Sequence, residues 1–287
     1  MHKAGFVNIV GNPNVGKSTL MNQLVGEKLS IATFKAQTTR HRIMGIVNTE
    51  DTQIVFSDTP GVLKPNYKMQ EMMLQFSESA LADADILLYV TDVVEDPEKN
   101  MDFLEKVSKM SIPVILLINK IDESDQKTLG KLVTKWHGLL PNAEILPISA
   151  KNKFGVDILL KRVHELLPES PAFFDKDQLT DKPAKFFVSE IIREKILRYY
   201  DKEIPYSVEV VIERFKEDDR QIHISAIIYV ERSSQKGIII GHQGMALKKV
   251  STEARKSLER FFDKKIFLET FVKVDKDWRN SQKELKH

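Results

Sequence analysis

Short apolar runs alternate with segments of helical periodicity over the first 168 residues of the chain. Continuous apolar runs such as Ile86–Val90 and Val114–Ile118 suit parallel strands that are covered on both faces. Segments such as Asp102–Met110 and Lys127–Leu140 repeat their apolar positions with the period of a helix. This alternation predicts an α/β fold with a doubly wound, mostly parallel sheet, whose ligand site lies at the carboxyl ends of the strands. The other predicted strands are Phe6–Val10, Ile43–Val47, Gln53–Ser57 and Glu144–Ile148.

The hydrophobic pattern changes from Ala184 onward and predicts a smaller α+β domain. A helix, two alternating strands, a helical segment, a long helix and a last strand follow each other in the order α-β-β-α-α-β. Prolines and aspartates between the two patterns are typical of a linker. We therefore predict a first domain over residues 1–168, a linker over residues 169–183 and a second domain over residues 184–287. Its predicted elements are a helix over Lys185–Tyr200, strands over Tyr206–Ile212, Ile222–Val230 and Ile266–Val274, and a long helix from Leu247 to Phe261.

Length and composition fit two folded domains in a chain without a membrane span. The chain has 287 residues, of which 42% are hydrophobic, and no apolar run reaches the ~18 residues of a spanning helix. It has no cysteine, which excludes disulfides and thiolate metal sites. Because the first residues lead directly into the first predicted strand, we expect no signal or transit peptide. We expect a cytoplasmic protein.

Charge is distributed unevenly between the two predicted domains. Residues 1–168 carry 19 lysines and arginines against 20 aspartates and glutamates, whereas residues 169–287 carry 24 against 21. Within residues 232–265 the numbers are 9 against 3. A basic run of this kind is, on its own, typical of a solvated helix face. Its neighbouring glycine turn, described below, gives it a different interpretation.

The segment between the first predicted strand and the first predicted helix reads G-x-x-x-x-G-K-S. A strand, a glycine-rich loop and a helix direct successive backbone N–H groups and the positive helix end at one point, where they can hold a polyphosphate. The pattern predicts a nucleoside triphosphate site. Its candidate residues are Gly11, Asn12, Pro13, Asn14, Val15, Gly16, Lys17, Ser18 and Thr19.

The segment Asp58-Thr59-Pro60-Gly61 follows a buried strand and offers groups for a metal ion and a phosphate. A carboxylate at the end of such a strand can hold the Mg²⁺ of a nucleotide, directly or through water, and Gly61 lets its N–H approach the terminal phosphate. Taken alone, the segment is more typical of a turn at the end of a strand. The glycine-rich loop upstream favours the nucleotide interpretation.

The segment Asn119-Lys120-Ile121-Asp122 indicates that the base is guanine. A carboxylate at Asp122 can accept from both N1–H and the 2-amino group of guanine. Adenine has neither donor there, so ATP should bind more weakly by roughly 10⁴-fold. Asn119 is expected to tie the base-binding loop to the phosphate loop, and the stem of Lys120 to lie over the purine. The next strand leads to three further candidates whose backbone N–H groups can meet guanine O6, namely Ser149, Ala150 and Lys151.

A second glycine turn, Gly241-His242-Gln243-Gly244, opens the basic helix of the second domain. Two glycines let a nucleic-acid backbone come close, while the helix N-terminus and the lysines supply donors and charge. The alternative is a purely structural turn between two helices. In its context the turn resembles the loop of a K-homology (KH) domain of the α-β-β-α-α-β type, which clamps about four nucleotides of single-stranded RNA. The candidate RNA-binding residues are Ile240, Gly241, His242, Gln243, Gly244, Lys248 and Lys249.

Five elements of the first domain together resemble the translation-factor-like GTPases. These elements are Gly11–Ser18, a threonine at 38–39, Asp58–Gly61, Asn119–Asp122 and Ser149–Lys151. The resemblance implies that Lys17 contacts the β- and γ-phosphates of GTP. It also implies that residues 31–40 form switch I and that switch II begins at Gly61, both ordered by the γ-phosphate. The implied Mg²⁺ ligands are Ser18, Thr39 and Asp58, with Thr38 as the alternative to Thr39, and the implied catalytic residues are Lys17, Thr39, Gly61 and Asn14.

Val62 departs from the pattern of small signalling GTPases, which place a water-orienting glutamine directly after Asp-x-x-Gly. A valine cannot polarise water, so we predict slow intrinsic GTP hydrolysis. In related bacterial GTPases with Pro-Asn in the phosphate loop, the matching asparagine binds a K⁺ that neutralises phosphate charge. Asn14 is therefore either a K⁺ ligand or a residue that only stabilises the loop, and the sequence favours neither.

A GTPase domain joined to a KH domain resembles the Era family of bacterial GTPases over essentially the whole chain. Further matches in the second domain are Glu190–Lys195, Pro205–Val208 and Ile239–Gly241. The resemblance implies a GTP- and GDP-binding switch that binds the 3′ end of 16S rRNA during assembly of the 30S ribosomal subunit. It also implies a loose, peripheral association with the inner membrane. We expect a monomer.

Two other classes of protein are alternatives. A metabolic P-loop kinase shares Gly11–Ser18 but has no use for Asn119–Asp122. A membrane-associated regulatory GTPase would dock the basic helix of its second domain on lipid or on a partner protein. That interpretation leaves the G-x-x-G turn without a function.

Overall fold

Six strands form one sheet in the N-terminal part of a computed structural model, which describes residues 2–33, 35 and 37–280. In chain order the strands are β1 (Lys3–Gly11), β2 (Ile43–Asn48), β3 (Thr52–Asp58), β4 (Ile86–Asp92), β5 (Val114–Asn119) and β6 (Glu144–Pro147). Their order across the sheet is β2-β3-β1-β4-β5-β6, with β2 antiparallel to β3 and all other pairs parallel. The predicted doubly wound, mostly parallel sheet is confirmed.

Helices connect these strands and cover the sheet. They are α1 (Lys17–Val25), α2 (Lys68–Ala82), α3 (Met101–Ser108), α4 (Gln126–Leu139) and α5 (Val156–Leu166). β3 and β4 are buried along their whole length, and β4 begins with the continuous apolar run Ile86–Val90, as suits a strand covered on both faces. The helix α2 was not among the predicted elements. Its buried side chains Met69, Met73 and Ala80 recur at helical spacing.

The strand order reverses between β1 and β4, and this crevice lies at the carboxyl ends of the parallel strands. Gly11, Asp58, Asp92 and Asn119 end β1, β3, β4 and β5 respectively. Because parallel strands end at the same edge of a sheet, these residues lie on one side of the first unit. This is where an open α/β sheet holds its ligand.

The stretch predicted as a linker lies along the edge of β2. The Ile46 N–H donates to Leu179 O at 2.8 Å, and Thr180 Oγ1 donates to Met44 O at 2.6 Å. Gln53 Oε1 accepts two backbone N–H bonds from the same stretch, at 2.7 and 3.0 Å. These bonds occupy part of an edge strand that would otherwise offer unpaired backbone groups. We propose that this stretch closes the first domain.

The chain divides into two compact units close to this point. One unit holds the residues up to Asn66 and from Gln70 to Asp181, and the other holds Tyr67–Met69 and the residues from Lys182 onward. In the second unit, chain order is α6 (Ala184–Tyr199), β7 (Val208–Glu217), β8 (Gln221–Val230), α7 (Ser233–Ile240), α8 (Met245–Phe262) and β9 (Lys265–Val274). The predicted order α-β-β-α-α-β is confirmed.

The second unit packs its helices on one face of a three-stranded sheet. β8 lies in the centre, antiparallel to β7 and parallel to β9. Val250, Ala254 and Leu258 line one side of α8 and are buried in the core, as the apolar period predicted. Phe261, placed on the same helix side by the sequence, is 40% exposed. Among the described residues, no helix is long and apolar enough to cross a bilayer.

Candidate functional site

The glycine-rich loop lies between the end of β1 and the start of α1, as predicted. Gly16 has φ 97°, a left-handed conformation, directly before the first residue of the helix. A Cβ at Gly16 would overlap the side-chain amide of Asn119. That amide donates to Val15 O at 2.8 Å. Asn119 therefore ties the base-binding loop to the phosphate loop, as the sequence suggested, and its position leaves room only for glycine.

Lys17 lies over the loop that precedes it. Its ammonium group donates to Gly11 O at 3.1 Å and to Asn12 O at 2.7 Å. Burial lowers the pKa of Lys17 to about 8, and the nearby carboxylates of Asp58 and Glu95 oppose the shift. Within the described part of the chain, the hydrogen-bond partners of this buried cation are backbone carbonyls, and a phosphate that enters the loop would add a charged partner.

Three side chains predicted as Mg²⁺ ligands lie together at the start of α1 and the end of β3. Ser18 Oγ donates to Asp58 Oδ2 at 2.7 Å and lies 2.8 Å from Thr39 Oγ1, which is itself 3.4 Å from Asp58 Oδ2. By contrast, Thr38 Oγ1 donates to Lys35 O at 2.5 Å and lies 2.8 Å from Thr33 Oγ1. The geometry favours Thr39 over Thr38 as the switch-I ligand.

The carboxyl group of Asp58 lies in an environment that suits a bound cation. Burial raises its pKa, because a carboxylate loses hydration in the interior, while Lys17 opposes the shift. Its Oδ1 atom is buried and makes no hydrogen bond within the described part of the chain. One such oxygen beside two hydroxyl groups is a hard donor set that suits Mg²⁺. Ser18, Thr39 and Asp58 therefore fit the metal implied by the sequence.

Gly61 and Val62, the first residues of switch II, have different environments. A Cβ at Gly61 would lie 2.7 Å from Pro13 Cα, so the backbone of switch II packs directly against the phosphate loop. The side chain of Val62 is buried in the core beside Val10 and Tyr89. The Val62 N–H donates to Gly11 O at 3.1 Å. The side chain of Val62 is therefore packed in the core and is not among the residues that line the cavity beside the phosphate loop.

The predicted base-binding residues surround one end of a cavity of about 580 Å³, whose other end is the phosphate loop. Ser149 Oγ donates to Asp122 Oδ1 at 2.6 Å, which orients the carboxylate. Lys120 Nζ donates to Asn14 O at 2.7 Å and to Asp92 Oδ2 at 2.5 Å. The Lys120 stem is thereby held across the cavity mouth. The residues that line this cavity include Lys151 from the last predicted element.

The Ala150 N–H is already used inside the protein. It donates to Asn119 Oδ1 at 2.9 Å, so the amide of Asn119 bridges two loops, through Val15 and through Ala150. The Ser149 N–H likewise donates to Phe154 O at 3.1 Å. Contact of Ala150 with guanine O6 stays a prediction that requires this N–H to be shared.

Asp92 and Asn100 do not line the cavity but hold residues of the two loops in place, and the sequence analysis missed them. Asp92 ends β4 and accepts a hydrogen bond from Lys120. The sequence pattern that could have identified it is a carboxylate at the end of an apolar run. Asn100 precedes α3; its side-chain amide contacts the Asn12 side chain and donates to Val62 O at 3.3 Å. No local pattern distinguishes such an asparagine from an ordinary helix-capping residue.

Asn14 adopts the left-handed conformation, with φ 67°, and its side chain is exposed. Asparagine tolerates this conformation better than most residues with a Cβ. The left-handed backbone conformation therefore explains an asparagine at position 14 without a bound K⁺.

The G-x-x-G turn projects from the second unit between α7 and α8. Gly241 and Gly244 have φ 73° and 74°, and His242 and Gln243 between them are exposed. A Cβ at Gly244 would meet no atom within 4 Å. The eighteen-residue helix α8 begins immediately afterwards, so its free N–H groups face the turn.

The other predicted RNA-binding residues differ in exposure. Lys248 and Lys249 are exposed on the first turn of α8, and Lys249 Nζ lies 4.7 Å from the centroid of the Tyr199 ring. Ile240 is half-buried and packs against the core of the second unit, so it anchors the start of the turn to that core.

Comparison with protein families matches both parts of the chain. Residues 6–120 match the family described as 50S ribosome-binding GTPase, and residues 203–279 match the KH domain. GTPase Era of Clostridium kluyveri is 44% identical over 288 residues, covering 100% of this chain and 98% of its own. GTPase Era of Geobacter sp. (strain M21) is 46% identical over 286 residues, covering 99% and 96%.

Solved structures give the same result. A crystal structure of Era in complex with MgGDPNP and nucleotides 1506–1542 of 16S ribosomal RNA has a TM-score of 0.95, at 37% identity, and covers 100% of this chain and 98% of that one. A crystal structure of a single-residue variant of Aquifex aeolicus Era bound to GDP.AlF4⁻ has a TM-score of 0.94, also at 37% identity, with 99% and 98% covered.

Proposed function

Because the chain belongs to the Era family of GTPases, we propose that it is a GTP-driven switch that binds the single-stranded 3′ end of 16S rRNA during assembly of the 30S ribosomal subunit. The chain is a GTPase with a C-terminal KH domain. The nature of the RNA and the role in assembly are the parts that we add.

The residues predicted to recognise guanine carry the nucleotide half of the proposal. A metabolic kinase would need the phosphate loop but not a carboxylate held by Ser149 at Asp122, nor an amide that links Asn119 to Val15. Bound Mg²⁺, held by Ser18, Thr39 and Asp58, would neutralise charge on the β- and γ-phosphates. Lys17 would hold the same phosphates from the loop side.

The RNA half rests on the G-x-x-G turn and on the related Era, which is solved with nucleotides 1506–1542 of 16S rRNA. In this chain the turn is open around Gly244 and is followed by Lys248 and Lys249. Such a turn can approach a sugar–phosphate backbone, while single-stranded bases remain free for recognition. A lipid-docking role would use the lysines but not the glycines.

Hydrolysis is proposed to be slow without a partner. Val62 is buried, so switch II offers no side chain directly after Gly61 to orient water. K⁺ at Asn14 is a second proposal for this loop, beside the structural role that its backbone conformation already supplies. We propose a monomer that associates only peripherally with the inner membrane.

The test uses the full chain loaded with a non-hydrolysable GTP analogue or with GDP. We expect it to bind an oligonucleotide with the 3′-terminal sequence of 16S rRNA at least about tenfold more tightly than a scrambled one, and more tightly in the GTP state. Equal affinity for both sequences and both nucleotides, together with flotation on anionic vesicles, would instead support the membrane alternative.

A further inference from the structure

The open face of the sheet in the second unit carries exposed aromatic rings. Phe267 and Phe271 on β9 are 51% and 48% exposed, whereas Ile266 and Val272 beside them in sequence are buried. Thr270 Oγ1 lies 2.7 Å from Ser251 Oγ of α8, so the alternate residues of β9 face the helices. The two phenylalanines therefore point to the side that the helices leave open.

Pairing across the sheet extends this face. Phe267 lies opposite His223 on β8, with ring centroids 5.6 Å apart, and His223 lies opposite Lys216 on β7. A bulge between Ile212 and Arg214 changes the register of β7. Phe215 packs on the core, so Arg214 and Lys216 on either side of it point to the open face.

The charge around the rings is mostly positive. Lys265 and Lys273 lie on the same face of β9 as the two phenylalanines, and Arg214 and Lys216 lie on that face of β7, all of them exposed. The exposed acidic residues near them are Glu269 on β9 and Asp218, whose Oδ2 lies 3.6 Å from His223 Nε2. Rings set among cations, instead of a continuous aliphatic patch, suit a ligand that combines flat apolar surfaces with negative charge.

We propose that this face, defined by His223, Phe267 and Phe271 with the four cations Arg214, Lys216, Lys265 and Lys273, is a second RNA surface, on which unpaired bases stack. It is separate from the turn Gly241–Gly244, which the helices carry. Two rings four residues apart on a strand are separated by about 13 Å, enough for one base on each ring. Lys265 and Lys273 lie beyond the two rings, where they can meet the flanking phosphates, and Glu269 lies between the rings.

This inference rests on the proposed RNA-binding function and extends the bound segment beyond the nucleotides held by the turn. A KH turn holds about four nucleotides. A short RNA should therefore need only the turn, whereas a longer one should use both surfaces. The dependence of binding on RNA length therefore distinguishes the proposed surface from the G-x-x-G turn.

The experiment measures binding of 4-nucleotide and 16-nucleotide unstructured RNAs to the full chain loaded with a GTP analogue. The test variant is F267L/F271L, which keeps apolar bulk but removes the rings, and the control is F173L, which alters a ring of similar exposure, 47%, in the first unit. We expect F267L/F271L to bind the long RNA about 25-fold more weakly, about fivefold for each ring, and the short RNA as the wild type does. F173L should match the wild type with both.

A direct readout comes from F267W. Stacking of a base on this tryptophan should quench its fluorescence when the long RNA is added, and the short RNA should leave it unchanged. The proposal is overturned if F267L/F271L binds the long RNA like the wild type and F267W shows no quenching. Loss of a concentration-dependent dimer in F267L/F271L, with unchanged RNA binding, would assign the face to a second copy instead. If the wild type binds neither RNA, the proposed function itself has failed.

Discussion

The two glycine turns of this chain both precede a helix, but their surroundings are opposite. Gly16 lies against the Asn119 amide, and Lys17 beside it is buried. Gly244 has open space where a side chain would be, and the residues before it are exposed. The first turn is a preformed cradle whose shape is set by its own protein neighbours. The second is closed at Gly241, where a Cβ would lie 2.5 Å from Ala246 Cβ, but at Gly244 it is open for a ligand to approach.

The same contrast holds for the cations beside each turn. Burial lowers the pKa of Lys17 to about 8, so this ammonium group is partly desolvated before any phosphate arrives. Lys248 and Lys249 remain exposed. Electrostatic contacts in a buried site are little screened by salt, whereas exposed ones weaken strongly. Nucleotide binding should therefore depend weakly on salt, and RNA binding strongly.

The largest effect should come from filling the packed turn. Gly16→Ala places a Cβ on the Asn119 amide in a left-handed conformation, so the loop must deform. We expect GTP affinity to fall by about 10³-fold or more, since the loop donors lose their alignment. Titration with a fluorescent GTP analogue measures this loss.

Gly26→Ala is the matched control for that substitution. Gly26 also has a positive φ, 82°, but a Cβ there meets nothing within 4 Å. The substitution Gly26→Ala should lower the free energy of unfolding by about 1 kcal/mol and leave GTP affinity unchanged. If both variants bind GTP equally, close packing of the first turn is not what shapes the cradle.

The second largest effect concerns the base. Asp122→Asn replaces a carboxylate acceptor with an amide, which can still meet Ser149 but loses the charged bonds to guanine. Two such bonds lost correspond to about 10² to 10⁴-fold in GTP affinity. Competition of GTP, ATP and XTP for the variant measures the change. Unaltered preference for GTP would show that the base is recognised elsewhere.

Much of the first unit could be predicted because its chemistry lies in short strings at strand ends. Asn119 was expected to tie two loops together, and it does so through bonds to Val15 and Ala150. The helix α2 was missed because its apolar residues are dispersed in a mixed sequence that follows a predicted switch. Asp92 and Asn100 act through partners distant in sequence, and no local pattern encodes such contacts.

In the second unit, the sequence predicted the element order but not the exposed face of β9. The hydrophobic pattern placed Ile266–Val274 in a strand. Its odd-numbered positions include two phenylalanines and its even-numbered positions are mostly aliphatic, so the sequence suggests that both faces of the strand are buried. The structure leaves one side open, because α6, α7 and α8 pack on the other. Which face the helices cover depends on topology, and the strand sequence does not contain it.

A smaller effect should come from the open turn. Gly244→Asp adds a negative charge and a Cβ at φ 74° where RNA is expected to approach. RNA affinity should fall by about 10 to 100-fold, with a weaker dependence on salt, while GTP hydrolysis persists. Gly237→Asp is the control, because this α7 glycine also has free space at its Cβ. Equal losses in both variants would point to general charge repulsion.

The two threonines of switch I should differ by about tenfold in their effect on Mg²⁺-dependent binding of a GTP analogue. Thr39→Ala removes a hydroxyl from the cluster with Ser18 and Asp58, whereas Thr38→Ala removes one that bonds Lys35 O. This tenfold difference corresponds to about 1.4 kcal/mol of binding free energy. Binding of GDP should be nearly unchanged in both variants. A larger loss for Thr38→Ala would exchange their roles.

The smallest effect tests the exposed residue of the packed turn. Asn14→Gly keeps the left-handed conformation without a side chain, and Asn14→Ala loses the side chain and strains the backbone. If K⁺ binds the asparagine, wild-type GTP turnover should be at least about fivefold faster in K⁺ than in Na⁺, well below the effect of an arginine finger. Both variants should then lose that difference equally. If Asn14 only stabilises the loop, turnover is equal in the two salts, Asn14→Gly behaves like the wild type, and only Asn14→Ala loses stability.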